Sequence, residues 1–176
     1  MHNNKQSIFI NGDSLWLKYI FLKEDLLVHQ KEMEEFIRRA DQYKDGAKIW
    51  TVANLGKINN RKITFSELKN SIFFNLNYHG NFQTDDAIGK EFTMPDSFVF
   101  VCNNELIFYG LLDDEFVKVL CLEHTRQLSD LTIGKITDIL SNFAQYNLML
   151  ADWRIKMIVD LSNKEDILAY LNKLKV

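Results

Sequence analysis

The stretch that decides the fold is residues 97–122, SFVFVCNNELIFYGLLDDEFVKVLCL. It contains three apolar runs rich in β-branched and aromatic residues, joined by the pairs Asn103-Asn104 and Asp113-Asp114. Because Asn and Asp suit the backbone of tight turns, this spacing predicts an antiparallel three-stranded meander. The predicted strands are Ser97–Cys102, Glu105–Leu112 and Glu115–Leu122.

The third run is apolar at nearly every position from Phe116 to Leu122. A strand with one face in water alternates apolar and polar side chains, whereas a strand covered on both faces need not do so. We therefore expect helices or a second sheet to cover both faces of this strand.

Residues before the meander predict two hairpins and one long helix. Asn11-Gly12 and Asn59-Asn60 each lie between two β-like runs, at positions that suit tight turns. Residues 23–44 instead repeat their apolar side chains with the period of an amphipathic helix. The predicted hairpins pair residues 7–10 with 15–22 and residues 49–55 with 61–65.

Shorter elements are predicted between the second hairpin and the meander. Ser66 is placed to cap a helical turn at residues 67–70, and residues 71–78 alternate as a strand does. Residues 79–93 have no clear period, so we expect them to form the longest loop.

The carboxyl-terminal part of the chain predicts a helix, a strand and a closing helix. Ser129 is placed to cap a helix that reaches about Met149, and residues 153–161 alternate as a half-buried strand. Ser162 and Glu165 have the spacing of a capping box at the start of the closing helix.

Together these elements predict an α+β fold, in which a mostly antiparallel sheet packs with about three helices. The sheet would contain the N-terminal hairpin and the central three-stranded meander. With 47% hydrophobic residues, 26% charged residues and one Pro, the chain is expected to form a single globular domain over residues 1–176. This composition excludes disordered, collagen-like and disulfide-scaffold proteins, and no apolar run is long enough to span a membrane.

The two cysteines, Cys102 and Cys121, lie in the first and third predicted strands of the meander. The middle strand would hold them too far apart for a disulfide. We therefore expect two reduced thiols in the core and, with no secretory signal at the amino terminus, a cytoplasmic location.

Acidic residues are concentrated in the meander and in the loop before it. Residues 85–123 contain nine acids and two lysines, a net charge of −7, whereas the rest of the chain carries +4. Such a surface attracts cationic partners and repels nucleic acid, although Asp in a tight turn can equally reflect turn chemistry alone. The predicted partner-binding residues are Asp85, Asp86, Asp113, Asp114, Glu115 and Glu123.

A nucleic-acid function would depend on a small basic patch around the second hairpin. On a chain with a net charge of −3, such a patch is a weak electrostatic footprint, so nucleic acid is not expected as a partner. The patch would combine Lys57, Arg61, Lys62 and Lys69 with the aromatic residues Trp50 and Phe65.

His79 offers an alternative, enzymatic function. It precedes Asp85 and Asp86 in the predicted loop, so it would act as a general base that one carboxylate orients, or the three residues would bind a cation. Their spacing matches no known metal-ligand pattern. His29 lies on the apolar face of the first helix and is expected to be a hydrogen-bonded core residue. No catalytic motif, metal site or cofactor is predicted.

In general character the chain resembles the small acidic immunity proteins that bacteria pair with secreted toxins, including those of contact-dependent growth inhibition systems. The resemblance covers the whole chain. It depends on the acidic residues in 85–123, on the meander 97–122, on the expected cytoplasmic location and on the lack of a catalytic motif. It implies an inhibitor, not an enzyme, that binds a basic toxin domain, often a nuclease. Carboxylates of the inhibitor would occupy the positions at which a nuclease binds the phosphates of its substrate, or a toxin segment would add a strand to an exposed sheet edge of the inhibitor.

Overall fold

A computed structural model describes residues 7–42, 56–86 and 88–175 of the chain. The strands are β1 (Lys18–Leu22), β2 (Asn77–Gly80), β3 (Gln83–Asp85), β4 (Glu91–Thr93), β5 (Ser97–Cys102), β6 (Leu106–Asp113), β7 (Phe116–His124), β8 (Leu148–Asp152) and β9 (Met157–Asp160). The helices are α1 (Leu26–Gln42), α2 (Phe65–Glu67), α3 (Asp130–Ser141) and α4 (Lys164–Lys173). Seven strands form one sheet in the order β2-β5-β6-β7-β1-β8-β9, and β3 pairs with β4 in a second sheet. This antiparallel arrangement confirms the predicted α+β fold, with a larger sheet than expected.

The central meander is confirmed almost residue for residue. In the register of β5, β6 and β7, Phe100 lies opposite Phe108, and Phe108 lies opposite Leu122. Asn103 and Asn104 have φ angles of 51° and 57°, and Asp114 has a φ of 55°. These left-handed conformations explain why Asn and Asp occupy both turns.

The predicted N-terminal hairpin is wrong, because β1 lies in the middle of the large sheet. Tyr19 pairs with Cys121 of β7 on one side and with Ala151 of β8 on the other. The apolar strand thereby gains two neighbours, whereas a hairpin with residues 7–10 would supply one.

Asn11-Gly12 makes a different turn from the predicted one. The Asn11 side chain accepts the backbone N–H of Asp13 and caps a short 3₁₀ turn over Gly12–Ser14. The residues before it pair with the small sheet instead, through a parallel bridge between Phe9 and Gln83.

The predicted second hairpin is also wrong for its described residues. Asn59 begins a 3₁₀ turn, Thr64 makes an isolated bridge with Phe116, and the side chain of Thr64, not Ser66, caps α2. A π-helical turn over Leu68–Ile72 follows, so the strand predicted at 71–78 is wrong for residues 71–76; β2 begins at Asn77 and continues to Gly80. Residues 49–55 lie outside the described ranges.

Residues 79–93 are not one long loop, because they contain the end of β2 and both strands of the small sheet. Helix α1 falls within the predicted helix 23–44. Helix α3 has the predicted cap, Ser129, but ends at Ser141, and a 3₁₀ segment follows it over Asn142–Tyr146. Strand β8 lies where the helix was expected to end.

At the carboxyl terminus the predicted capping box is wrong. The Asn163 side chain accepts the N–H groups of Glu165 and Asp166 and so caps α4, whereas Ser162 bonds to Asp160. Strand β9 lies within the predicted strand 153–161.

Both faces of the large sheet are covered, as the apolar pattern of β7 predicts. One core packs Phe98, Phe100 and Phe108 against α3 and α4, and the other contains Tyr19, Tyr109 and residues of α1. Cys102 and Cys121 are free thiols in different cores, and burial raises the pKa of both. Within the described ranges, no helix is long and apolar enough to cross a membrane.

Candidate functional site

Four acidic residues lie at one end of the large sheet. Asp96 precedes β5, and Asp113, Asp114 and Glu115 form the turn between β6 and β7. The backbone N–H of Leu112 donates to the Asp96 carbonyl at 2.7 Å, which joins the two segments directly. All four side chains are exposed, and no salt bridge among the described residues involves any of them. We call Asp96, Asp113, Asp114 and Glu115 the acidic end.

The acidic end has a fixed backbone and outward side chains. The Phe65 N–H donates to the Glu115 carbonyl at 2.8 Å, and the Asn59 side-chain amide donates to Asp113 Oδ2 at 3.2 Å. A neighbouring cation, Lys62, lies with its Nζ 4.7 Å from the centre of the Phe116 ring. The backbone of the turn and the Asp113 side chain are thus held by bonds to neighbouring residues, and Lys62 lies nearby.

Asp85 ends β3 of the small sheet, Asp86 begins the turn that follows, and both carboxylates accept backbone N–H groups. Asp85 Oδ1 accepts the Gly12 N–H at 2.6 Å, and Asp86 Oδ1 accepts the N–H groups of Ile88 and Lys90 at 3.0 and 2.9 Å. Turn chemistry thus accounts for Asp86 Oδ1, whereas the Asp85 bond joins β3 to the 3₁₀ turn near the amino terminus. No contact recorded between described residues brings either one to the acidic end.

His79 lies on β2, the edge strand of the large sheet. Its Nδ1 is buried and has no hydrogen-bond partner among the described residues. Because Asp85 and Asp86 bond to Gly12 and to the following turn instead, no described contact orients His79. The geometry therefore gives no support to a catalytic role for these three residues.

His29 is a core residue with a partner, as predicted. Its Nδ1 lies 2.8 Å from the Tyr19 hydroxyl, and the Trp153 indole N–H donates to the same hydroxyl at 3.3 Å. Burial lowers the pKa of the His29 imidazole.

Glu123, which was also predicted to contact a partner, is buried. Its Oε1 accepts hydrogen bonds from Lys18 Nζ at 2.9 Å and from Arg154 at 3.2 Å, and the residue is only 7% exposed. The Lys18 side chain is 0% exposed. A carboxylate neutralised in this way adds little to the field outside the protein.

Glu123 belongs to a buried charge cluster that the sequence reasoning missed. Lys18, Glu123, His124 and Asp152 come from the ends of β1, β7 and β8, and Asp152 accepts the Tyr170 hydroxyl of α4 at 2.9 Å. Asp152 Oδ1 also accepts the N–H groups of Arg154 and Ile155, at 2.9 and 3.4 Å. Burial, followed by the Asp152 charge, raises the pKa of Tyr170.

The side chains of this cluster bond to one another and to neighbouring backbone groups. Lys18 and Arg154 form salt bridges with Glu123, whereas Asp152 forms none among the described residues and accepts only the hydrogen bonds given above. Lys18 and Asp152 stand opposite each other in the pair of β1 with β8, and both are buried. Among the described residues, no group of three or more His, Cys, Asp or Glu is arranged to hold a metal ion. The sequence contains one signal for this cluster. Lys18 and Asp152 are charged residues at the ends of strongly apolar runs, which indicates that they are buried with the strands.

The small basic patch is partly engaged within the fold. Arg61 bonds to Glu24 and donates to the Tyr146 carbonyl at 2.6 Å, and Lys69 lies 4.9 Å from the Tyr78 ring centre. Trp50 lies outside the described residues. Arg61 and Lys69 are therefore engaged by neighbouring residues of the fold.

Comparison with known proteins does not indicate a function for this chain. No family model matches the chain, and neither the curated proteins nor the solved structures include a significant match.

Proposed function

We propose that this chain is an immunity or inhibitor protein that binds a cationic protein toxin, of the kind that carries nuclease activity. The observation that supports this proposal is the acidic end, where four exposed carboxylates share one rigid surface without a described salt bridge. The proposed contacts are Asp113, Asp114 and Glu115 together with Asp96, which the sequence reasoning did not select.

The physical argument concerns charge and rigidity. Exposed carboxylates that form no salt bridge among the described residues carry a negative field into solvent, and that field accelerates encounter with a basic surface. A nuclease site is basic because it binds phosphates, so a carboxylate array fits it in charge. Since the backbone of the turn is held by Phe65 and Leu112, little conformational entropy is lost on binding.

The first experiment identifies the partner. The tagged chain is expressed in its native host with the products of neighbouring genes, captured at low salt and eluted with a salt gradient. We expect one stoichiometric basic protein, released by salt, whose expression alone stops growth and whose toxicity the chain prevents. Recovery of the chain alone, or with a small metabolite, would contradict the proposal.

A matched pair of variants assigns the surface. The triple variant Asp113→Asn, Asp114→Asn, Glu115→Gln should lose protection against the captured toxin. The control triple variant Glu34→Gln, Glu165→Gln, Asp166→Asn changes the net charge equally at exposed positions on α1 and α4 and should protect as wild type does. Equal protection by both variants would contradict a role for the acidic end.

A further inference from the structure

The strand β4 has one side bonded to β3 and one side open. The Met94 N–H donates to the Phe82 carbonyl at 3.0 Å, and the Asp86 N–H donates to the Lys90 carbonyl at 3.1 Å. Thr84 stands opposite Phe92 between these pairs. Hydrogen-bonded pairs recur at every second residue of an antiparallel ladder. The backbone groups of Phe92 therefore point to β3, whereas the N–H and C=O groups of Glu91 and Thr93 point outward.

The opposite edge of β3 is already covered. The Gln83 N–H donates to the Ile8 carbonyl and the Ile10 N–H donates to the Gln83 carbonyl, both at 2.8 Å. On β4, by contrast, all three residues are exposed, and no hydrogen bond among the described residues uses the outward groups of Glu91 or Thr93. Four backbone groups are thus available on this edge for an added strand.

The charge of this edge indicates which kind of strand it accepts. Asp85 lies directly opposite Glu91, and like charges at opposed positions destabilise a strand pair. Asp85 Oδ1 bonds to the Gly12 N–H, which offsets part of this repulsion. Residues 83–93 contain three acids and one lysine. A cationic side chain beside Glu91 would remove the remaining repulsion.

We propose that β4 accepts an extended cationic segment of the protein partner as an added antiparallel or parallel strand. This inference rests on the proposed function and names a second contact surface for the same basic partner. The segment places a Lys or Arg next to Glu91 and an apolar side chain next to Phe92, which is 41% exposed on the other face of the strand.

The test uses the ¹⁵N-labelled full chain and a synthetic peptide of alternating lysine and valine at low salt. Amide hydrogen exchange should slow at least about tenfold at Glu91 and Thr93, while the Phe92 amide, already bonded to β3, keeps its rate. A peptide with glutamate in place of lysine should leave all three rates unchanged.

Three results would overturn the inference. The first is the absence of peptide binding. The second is binding with unchanged exchange at Glu91 and Thr93; signal changes confined to the acidic end would then retain the proposed function and reject this edge. The third is protection of both amides in the free chain that rises with protein concentration, because a second copy would then occupy the edge. The capture experiment tests the proposed function separately: if no basic partner is captured, the proposed function is rejected.

Two substitutions at one position supply the matched control. Thr93→Pro removes an outward N–H and keeps the bonds between β4 and β3, so it should weaken peptide binding at least about tenfold. Thr93→Ala keeps that N–H and should bind as wild type does. Glu91→Gln, which retains the backbone, should weaken binding and reduce its dependence on salt. Equal affinities for all these variants and the wild type would contradict the inference.

Discussion

Lys18 Nζ lies 2.6 Å from Nδ1 of His124. An ammonium group only donates hydrogen bonds, so Nδ1 accepts and the imidazole carries its proton on Nε2. Burial lowers the pKa of His124, and the Lys18 charge lowers it further. Glu123 and Asp152 act in the opposite direction, and Arg154 in the same direction as Lys18. The fold therefore contains a neutral, half-buried histidine beside the buried pair of Lys18 and Glu123.

The lowered pKa values of two histidines predict a loss of stability in mild acid. His124 and His29 both have a lowered pKa in the folded chain, so the unfolded chain takes up their protons more readily below pH 6.5. The stabilisation is complete above that pH and decreases as the pH falls towards the folded pKa values. Each histidine contributes at most about 1.4 kcal/mol per pH unit. Urea unfolding at pH 7.5 and 5.5 measures the effect.

The His124→Gln variant provides the control for that measurement. Gln retains an oxygen that accepts from Lys18 and has no proton to gain, so the difference in unfolding free energy between the two pH values should shrink. An unchanged difference would show that His124 does not titrate as proposed.

The buried ion pair predicts strong coupling between Lys18 and Glu123. Lys18→Met leaves the Glu123 carboxylate buried with Arg154 alone, which should cost about 3–5 kcal/mol of unfolding free energy. In Lys18→Met combined with Glu123→Gln, the uncompensated charge is gone, so the double variant should be more stable than the sum of the two single effects implies. Strict additivity in the double-mutant cycle would contradict this account of the pair.

Two glycines should respond in opposite directions to substitution by alanine. In β6, a Cβ atom on Gly110 would lie 2.0 Å from the Val119 carbonyl oxygen and 2.7 Å from Phe98 Cζ, so Gly110→Ala should destabilise the sheet by about 3 kcal/mol or more. In α3, nothing lies within 4 Å of a Cβ on Gly134, and Gly134→Ala should stabilise the chain by about 0.5–1 kcal/mol. Thermal unfolding of both variants tests these two predictions. Similar melting temperatures for Gly110→Ala and Gly134→Ala would contradict them.

The sequence predicted those elements whose side-chain pattern is strong and local. The meander combines three apolar runs with Asn and Asp turns, and α1 has a clear amphipathic period; both are present as expected. Strand β8 was missed because Leu148–Asp152 is buried throughout, and a short apolar run without alternation does not distinguish the end of a helix from a central strand. The place of β1 depends on pairing with β7 and β8, which no local pattern records.

The candidate site was predicted in part for the same reason. Charge counting selected Asp113, Asp114 and Glu115, which the structure places together in one exposed turn. It also selected Glu123, whose burial against Lys18 depends on the distant pairing of β1 with β7. Asp96 was not selected, because its proximity to the turn follows from the pairing of β5 with β6.

The most direct test of the central claim is the affinity of the captured basic partner for the triple variant Asp113→Asn, Asp114→Asn, Glu115→Gln, measured by titration calorimetry at low and high salt. Removing three exposed charges from the acidic end should weaken binding at least about tenfold at low salt and much less at high salt, while the control triple variant binds as wild type does. An affinity equal to wild type at low salt would contradict the claim that the acidic end binds a cationic partner.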